Sequence, residues 1–216
     1  MMLNPGVEIL IATNNRGKIR EVQRALQSLP VKLRYLNEFT HVSTVDEVGE
    51  TYEENAVLKA LGYAKQTGVC ALADDSGLEV DALDGRPGVF SARYGGESAS
   101  DRNRTDKLLA ELSQSGSMDR TARFVCCMAL AGWPSTGETG DSGEPRLLTT
   151  TEARCEGSIA SEARGANGFG FDPVFVPGGY LATFAELPDE IKARISHRAQ
   201  ALTAMRAFLN RWLAQT

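Results

Sequence analysis

Asp74 and Asp75 stand side by side where the apolar run Ala71-Leu72-Ala73 ends, and Ser76 and Gly77 follow them. Two adjacent carboxylates can hold a divalent cation, or one can activate a water that the other's cation orients. Asp, Ser and Gly also favour tight turns, so the stretch reads as a strand end breaking into a turn at the rim of a sheet, where ligands of α/β proteins bind. Basic residues supply a second kind of chemistry. Arg16 and Lys18 flank Gly17 after the turn Thr13-Asn14-Asn15, and His197 and Arg198 follow Ser196 near the other end of the chain. Each basic pair opens a segment with helical apolar spacing, where the helix dipole disfavours cations. An anion at the helix start would resolve both conflicts. A third stretch, Gly168-Phe169-Gly170-Phe171-Asp172, alternates glycine with aromatic residues. Glycines let backbone approach a ligand and an aromatic can offer its face to a base; the alternative is a bulged strand whose aromatics enter the core. Basic groups for phosphates, acids for magnesium and an aromatic for a base describe a nucleoside-polyphosphate site with metal-assisted phosphoryl or pyrophosphoryl chemistry. No serine or cysteine carries a nucleophile signature, which favours an attacking water.

The elements that must position these groups follow from periodicity. Residues 7–12 form a short β-branched run suited to a buried strand, and Ile19, Val22, Leu26 and Leu29 give the helix after it one apolar face. The turn between them lacks Walker A spacing. Residues 31–36 alternate as a half-buried strand does. A polar loop with Asp46, Glu47 and Glu50 comes next; Asp46 and Glu47 are either solvated or within reach of a metal. Thr51-Tyr52-Glu53-Glu54 has capping-box form, which predicts a helix running to Gln66 with Asn55 beside its apolar stripe, turned toward the ligand side. Residues 69–73 and 78–82 read as outgoing and returning strands around the Asp-Asp-Ser-Gly turn. A glycine-punctuated loop spans 85–96, a helix 100–112, a strand 121–131, a Gly/Ser/Thr-rich hairpin tip 133–145 and a partner strand 147–155. Ser196 is a good N-cap for a last helix striped by Leu202, Met205, Leu209 and Trp212.

At 216 residues, 42% hydrophobic and 24% charged, the chain has the composition of an ordered α/β domain or of two lobes sharing a core. A net charge of -5 leaves no basic footprint for duplex nucleic acid. The four cysteines form no C-x-x-C pair, so buried thiols in a reducing compartment are expected rather than disulfides or zinc. No secretory leader or membrane-spanning apolar run is evident, which places the protein in the cytoplasm.

Six motifs in order carry a resemblance. They are Ala12-Thr13-Asn14-Asn15-Arg16-Gly17-Lys18, Glu54-Asn55-Ala56, Ala73-Asp74-Asp75-Ser76-Gly77-Leu78, the stretch 85–94 (GRPGVFSARY), Gly168-Phe169-Gly170-Phe171-Asp172-Pro173 and Ile195-Ser196-His197-Arg198. With them the chain resembles, from about Ile9 to Leu202, the inosine triphosphate pyrophosphatase family and its bacterial XTP/dITP diphosphatases. The resemblance implies an elongated α/β fold, two lobes with a long curved mixed β-sheet flanked by helices and an active-site cleft between the lobes. All 216 residues would then form a single catalytic domain. It further implies Mg²⁺-dependent hydrolysis of XTP, ITP and dITP to monophosphate and pyrophosphate by a homodimer, removing these nucleotides before they enter DNA or RNA. Carried over residue by residue, the substrate contacts are Thr13, Asn14, Asn15, Arg16, Gly17, Lys18, Ser76, Phe169, Gly170, Phe171, Asp172, Lys192, His197 and Arg198. Asp75 is the proton acceptor and a metal ligand, and the second metal carboxylate falls on Asp46, with Glu47 adjacent. The chain departs from the family pattern at Asn14, where glycine is common, at Phe171, where tyrosine is common, and at Asp46, where glutamate is usual.

Overall fold

A computed structural model describes residues 6–96, 98–133 and 143–215. Six strands form one mixed sheet in the order β2-β1-β3-β4-β5-β6, with β1 spanning Glu8–Ile11, β2 Lys32–Tyr35, β3 Cys70–Val80, β4 Thr121–Gly132, β5 Arg146–Ile159 and β6 Phe175–Pro177. Strand β1 pairs in parallel with both β2 and β3, whereas β5 and β6 pair antiparallel. The helices are α1 (Arg16–Leu26), α2 (Tyr52–Thr67), α3 (Asp101–Gln114), α4 (Asp189–Ile195) and α5 (His197–Leu213). The α/β fold with helices flanking a mixed sheet is thus the one expected. Among the described residues no helix is long and apolar enough to cross a membrane. Most of the hairpin tip expected over 133–145 lies outside the described residues.

The chain divides into two compact units. The first comprises Met1–Asp75, Cys127–Glu152 and Ala201–Thr216. Its core joins Ile9, Leu10 and Ile11 of β1, Val22 and Leu26 of α1, Ala56, Ala60 and Ala64 of α2, and Met205 and Leu209 of α5. Strand β1 feeds α1 and returns as β2, and α2 then leads back past β1 to β3. Right-handed crossovers running in opposite directions along a sheet put their helices on opposite faces, so α1 and α2 flank the start of β3 from two sides. The second unit, Ser76–Cys126 and Ala153–Gln200, has a core of Leu78, Val80, Leu108, Leu112, Phe124, Ile159, Phe171, Phe175 and Phe184. Phe124 and Phe175 meet there with ring centroids 4.7 Å apart.

The expected turn at Asp74-Asp75-Ser76-Gly77 does not form. Strand β3 runs without a break from Cys70 to Val80, through both aspartates, and no returning strand follows. Turn propensity loses here to tertiary context: β3 is buried over most of its length, and each aspartate finds a cation that offsets part of the cost of burying it. Further along the strand, the Leu78 N–H donates to the Ser91 hydroxyl at 2.9 Å, and that hydroxyl donates to the Gly88 carbonyl at 2.7 Å. This ties the loop at 85–94 to β3. The four cysteines form no disulfide among the described residues, and burial pushes Cys127 up to about 12 and Cys155 up to about 11.

Candidate active site

Successive side chains of a strand point to opposite faces, and this separates the two aspartates. Asp74 meets Lys18 of α1 at 3.0 Å, whereas Asp75 meets Lys59 of α2 at 3.1 Å. The Lys59 ammonium also binds Glu47 at 2.8 Å, so a single cation holds together a strand carboxylate and a loop carboxylate. Asn55, one helical turn before Lys59, donates to the second Asp75 oxygen at 3.3 Å. Burial, reinforced by the like charge of Glu47, pushes the Asp75 carboxyl above its ordinary value against the pull of Lys59 and Lys18. Burial works against the Lys59 ammonium too, but Asp75, Asp74 and Glu47 outweigh it and hold its pKa up. Burial thus prevails at Asp75, whereas the neighbouring carboxylates together prevail at Lys59.

At the start of α1 the polar groups meet partners within the chain. The free N–H groups expected to receive an anion are partly engaged, because the Asn15 side chain caps the helix by accepting from Gly17 N–H at 2.8 Å and Lys18 N–H at 3.1 Å. The anion that compensates Lys18 is a residue of the chain itself, Asp74. Thr13 accepts from Asn15 N–H at 3.2 Å and so shapes the turn. Asn14 and Arg16 are exposed and Gly17 is buried.

The second unit gathers the remaining candidates. Arg198, 2% exposed, donates to the Ser76 hydroxyl at 2.7 Å, and its guanidinium lies 5.8 Å from the centre of the Phe169 ring. The Lys192 ammonium sits 4.7 Å from that ring centre and forms an ion pair with Asp172. The same Asp172 oxygen accepts from Phe169 N–H at 2.8 Å. Gly168 has φ +78° and a side chain there would fall on the Asp172 carboxylate, so only glycine lets this loop close. Gly170 N–H donates to Asp101 of α3 at 2.7 Å. His197 stacks on Phe124, with centroids 4.6 Å apart and planes 11° from parallel.

The two aromatics of the 168–172 loop therefore have different fates. Phe171 is buried and meets Tyr94 edge-on at 6.3 Å, which is the core role weighed for it in the sequence. Phe169 is half-buried beside two cations. No bulged strand forms; the segment is a series of turns. Within this segment Asp172 N–H donates to the Phe169 carbonyl at 3.3 Å.

Asp46 is exposed, and it is its neighbour Glu47 that reaches Lys59 and so the surroundings of Asp75. Lys59 itself escaped the sequence reading. Its signal was present: with Asn55 it forms an i, i+4 pair of polar residues inside the buried stripe Tyr52, Ala56, Ala60 and Tyr63. Buried polar residues on an apolar helix face require partners.

The model of the Ham1 family matches residues 9–208 of this chain. The dITP/XTP pyrophosphatase of Desulfotalea psychrophila is 45% identical over 210 residues, covering 96% of this chain and 88% of that protein. The dITP/XTP pyrophosphatase of Syntrophobacter fumaroxidans is 50% identical over 196 residues, covering 90% and 78%. Among solved structures, a HAM1 protein from Coxiella burnetii superposes with a TM-score of 0.83 at 42% identity, covering 95% of this chain and 99% of that one. The Ham1 protein of Staphylococcus aureus gives a TM-score of 0.79 at 39% identity, covering 94% and 98%.

Proposed function

We propose, from the premise that this chain belongs to the Ham1 family, that it hydrolyses XTP, ITP and dITP to the nucleoside monophosphate and pyrophosphate with Mg²⁺. The observation that carries this reading is the buried Asp75 carboxylate, bound by Lys59 and Asn55, in the residue immediately before Ser76, the partner of Arg198. The similar proteins named dITP/XTP pyrophosphatase support the substrate class.

The donor set fits a hard divalent ion. Asp75 and Glu47 offer carboxylate oxygens, the hard donors that such an ion takes. Those two residues, with Asp46 next to Glu47, would hold Mg²⁺, and the chemistry the ion supplies is neutralisation and polarisation of the phosphate oxygens. Lys18 contributes positive charge to the triphosphate, with the exposed Arg16 and Asn14 nearby in the chain. Asp75 takes the proton of the attacking water. The new bond joins the water oxygen to the α-phosphorus, the bond from that phosphorus to its bridging oxygen breaks, and pyrophosphate leaves with the electron pair.

Phe169 stacks on the base, and Lys192 and Asp172 hold the loop that carries it. Hypoxanthine and xanthine present a carbonyl acceptor at position 6, where adenine presents an amino donor. Gly170 and Asp172 N–H are engaged within the protein, so we assign the reading of that acceptor to the side chains of Arg198 and His197. A site that places such a donor rejects the mismatched base strongly, because the wrong base leaves the donor without its hydrogen bond. The protein acts as a homodimer in the cytoplasm on small nucleotides, clearing them from the pool.

A panel of nucleoside triphosphates assayed for pyrophosphate release with Mg²⁺ tests the reading. XTP, ITP and dITP are expected to turn over at least ~100-fold faster than ATP at subsaturating concentration, the scale of discrimination that one mismatched buried donor supports. Equal rates on all purines, or a preference for pyrimidine nucleotides, would contradict it.

A further inference from the structure

Asn55, a partner of Asp75, is fully buried (0% exposed), and both polar atoms of its amide are engaged. Its Oδ1 accepts from Gly49 N–H at 2.8 Å, while Nδ2 donates to the Gly49 carbonyl and to Asp75 Oδ2, both at 3.3 Å. One amide thus pairs both backbone groups of Gly49, as a neighbouring strand would, and spends its second N–H on Asp75. Rotating the amide by half a turn would set its oxygen against two other acceptors, so the network admits one orientation. Gly49 lies two residues after Glu47, which shares Lys59 with Asp75. The next two residues are fastened as well: Glu50 N–H and Thr51 N–H both donate to the Glu54 carboxylate, at 2.7 and 3.2 Å. A β-carbon on Gly49 would come within 2.7 Å of the Glu54 side chain and 2.9 Å of Asn55 Oδ1, so the bracket needs glycine there.

We propose that Asn55 is a positioning residue that registers the loop carrying Glu47 against strand β3 and fixes the rotation of the Asp75 carboxylate. The inference rests on the reading of Asp75 and Glu47 as the working carboxylates. A residue that only anchored the loop to α2 would affect stability alone. A positioning residue affects chemistry and metal affinity while leaving nucleotide affinity nearly intact, as partners of metal-binding carboxylates do.

Two substitutions separate the two halves of the bracket. Asn55→Asp keeps an acceptor for Gly49 N–H but has no donor for Asp75 and sets a like charge against it. Asn55→Ala removes every bond. With ITP and Mg²⁺, both are expected to lower kcat by ~30- to 100-fold with KM changed less than about 3-fold, and to weaken Mn²⁺ binding, followed by electron paramagnetic resonance without nucleotide, by ~10-fold. Hydrogen exchange at Gly49 N–H should stay slow in Asn55→Asp and become fast in Asn55→Ala. If Asn55→Ala does not fold, Asn55→Ser takes its place with the same expectations. Folded variants with wild-type kcat and wild-type Mn²⁺ affinity would overturn the proposal, as would a loss confined to KM. Wild-type protein assayed in parallel distinguishes the failures: without pyrophosphate release from ITP by the wild type, the functional reading falls and this inference with it.

Discussion

Asp75→Asn is expected to lower kcat for ITP by ~10³-fold, the range over which a positioned general base contributes, while the melting temperature stays at or above that of the wild type. The stability half of this expectation follows from burial. Burial raises the Asp75 carboxyl above its ordinary value of 3.8, so in the window between that value and the raised one the folded chain binds more protons than the unfolded chain. Stability from this group is present below 3.8 and declines as pH rises through the window. Asparagine has no proton to lose there and keeps an oxygen that can accept from Lys59 and Asn55. Loss of activity in an unweakened protein is the signature of a residue held in place for function. Near-normal pyrophosphate release by this variant, or a melting temperature well below wild type, would count against the role given to Asp75.

Lys59→Met should be the more damaging change to the fold. It leaves Asp75, 5% exposed, without its ammonium partner and Glu47 without its tether. Removing one partner from a buried ion pair costs about 3 kcal/mol or more, which corresponds to a loss of roughly 6–12 °C in melting temperature for a chain of this size. The double variant Lys59→Met/Asp75→Asn should recover most of that loss, because the uncompensated charge is then gone; simple addition of the two single effects would refute the coupling. The pH dependence has a definite sign. Lys59 titrates above its ordinary value of 10.5 in the folded protein, so its contribution is complete below 10.5 and is lost as pH rises beyond it. The gap between wild type and Lys59→Met should therefore be constant at neutral pH and close in strong alkali.

The helices were legible because their signals are local. Thr51 accepts from Glu54 N–H and Glu54 reaches back, as the capping box required, and Ser196 accepts from Ala199 N–H at the start of the last helix. The residue types of the candidate site stand in the sequence, but their wiring does not. Asp, Ser and Gly read as a turn because nothing local in the sequence places Lys18 and Lys59 on opposite faces of one strand; that follows from two crossovers. For the same reason the basic start of α1 called for an external anion, although Asp74, some 56 residues later in the sequence (74 − 18), supplies one. The choice between Asp46 and Glu47 was open because neighbours on a loop have no fixed phase, and only the position of Lys59 favours the second. Phe169 and Phe171 share a motif but not an environment, since the positive φ of Gly168 and Gly170 turns the chain between them.

In the proposed reaction water attacks the α-phosphorus of a purine triphosphate. Hydrolysis of ITP by the wild-type protein with Mg²⁺ in H₂¹⁸O, followed by mass spectrometry of both products, tests it directly. One ¹⁸O atom is expected in the phosphate of inosine monophosphate, with the released pyrophosphate unlabelled. Label in pyrophosphate, or release of orthophosphate with inosine diphosphate, would contradict it.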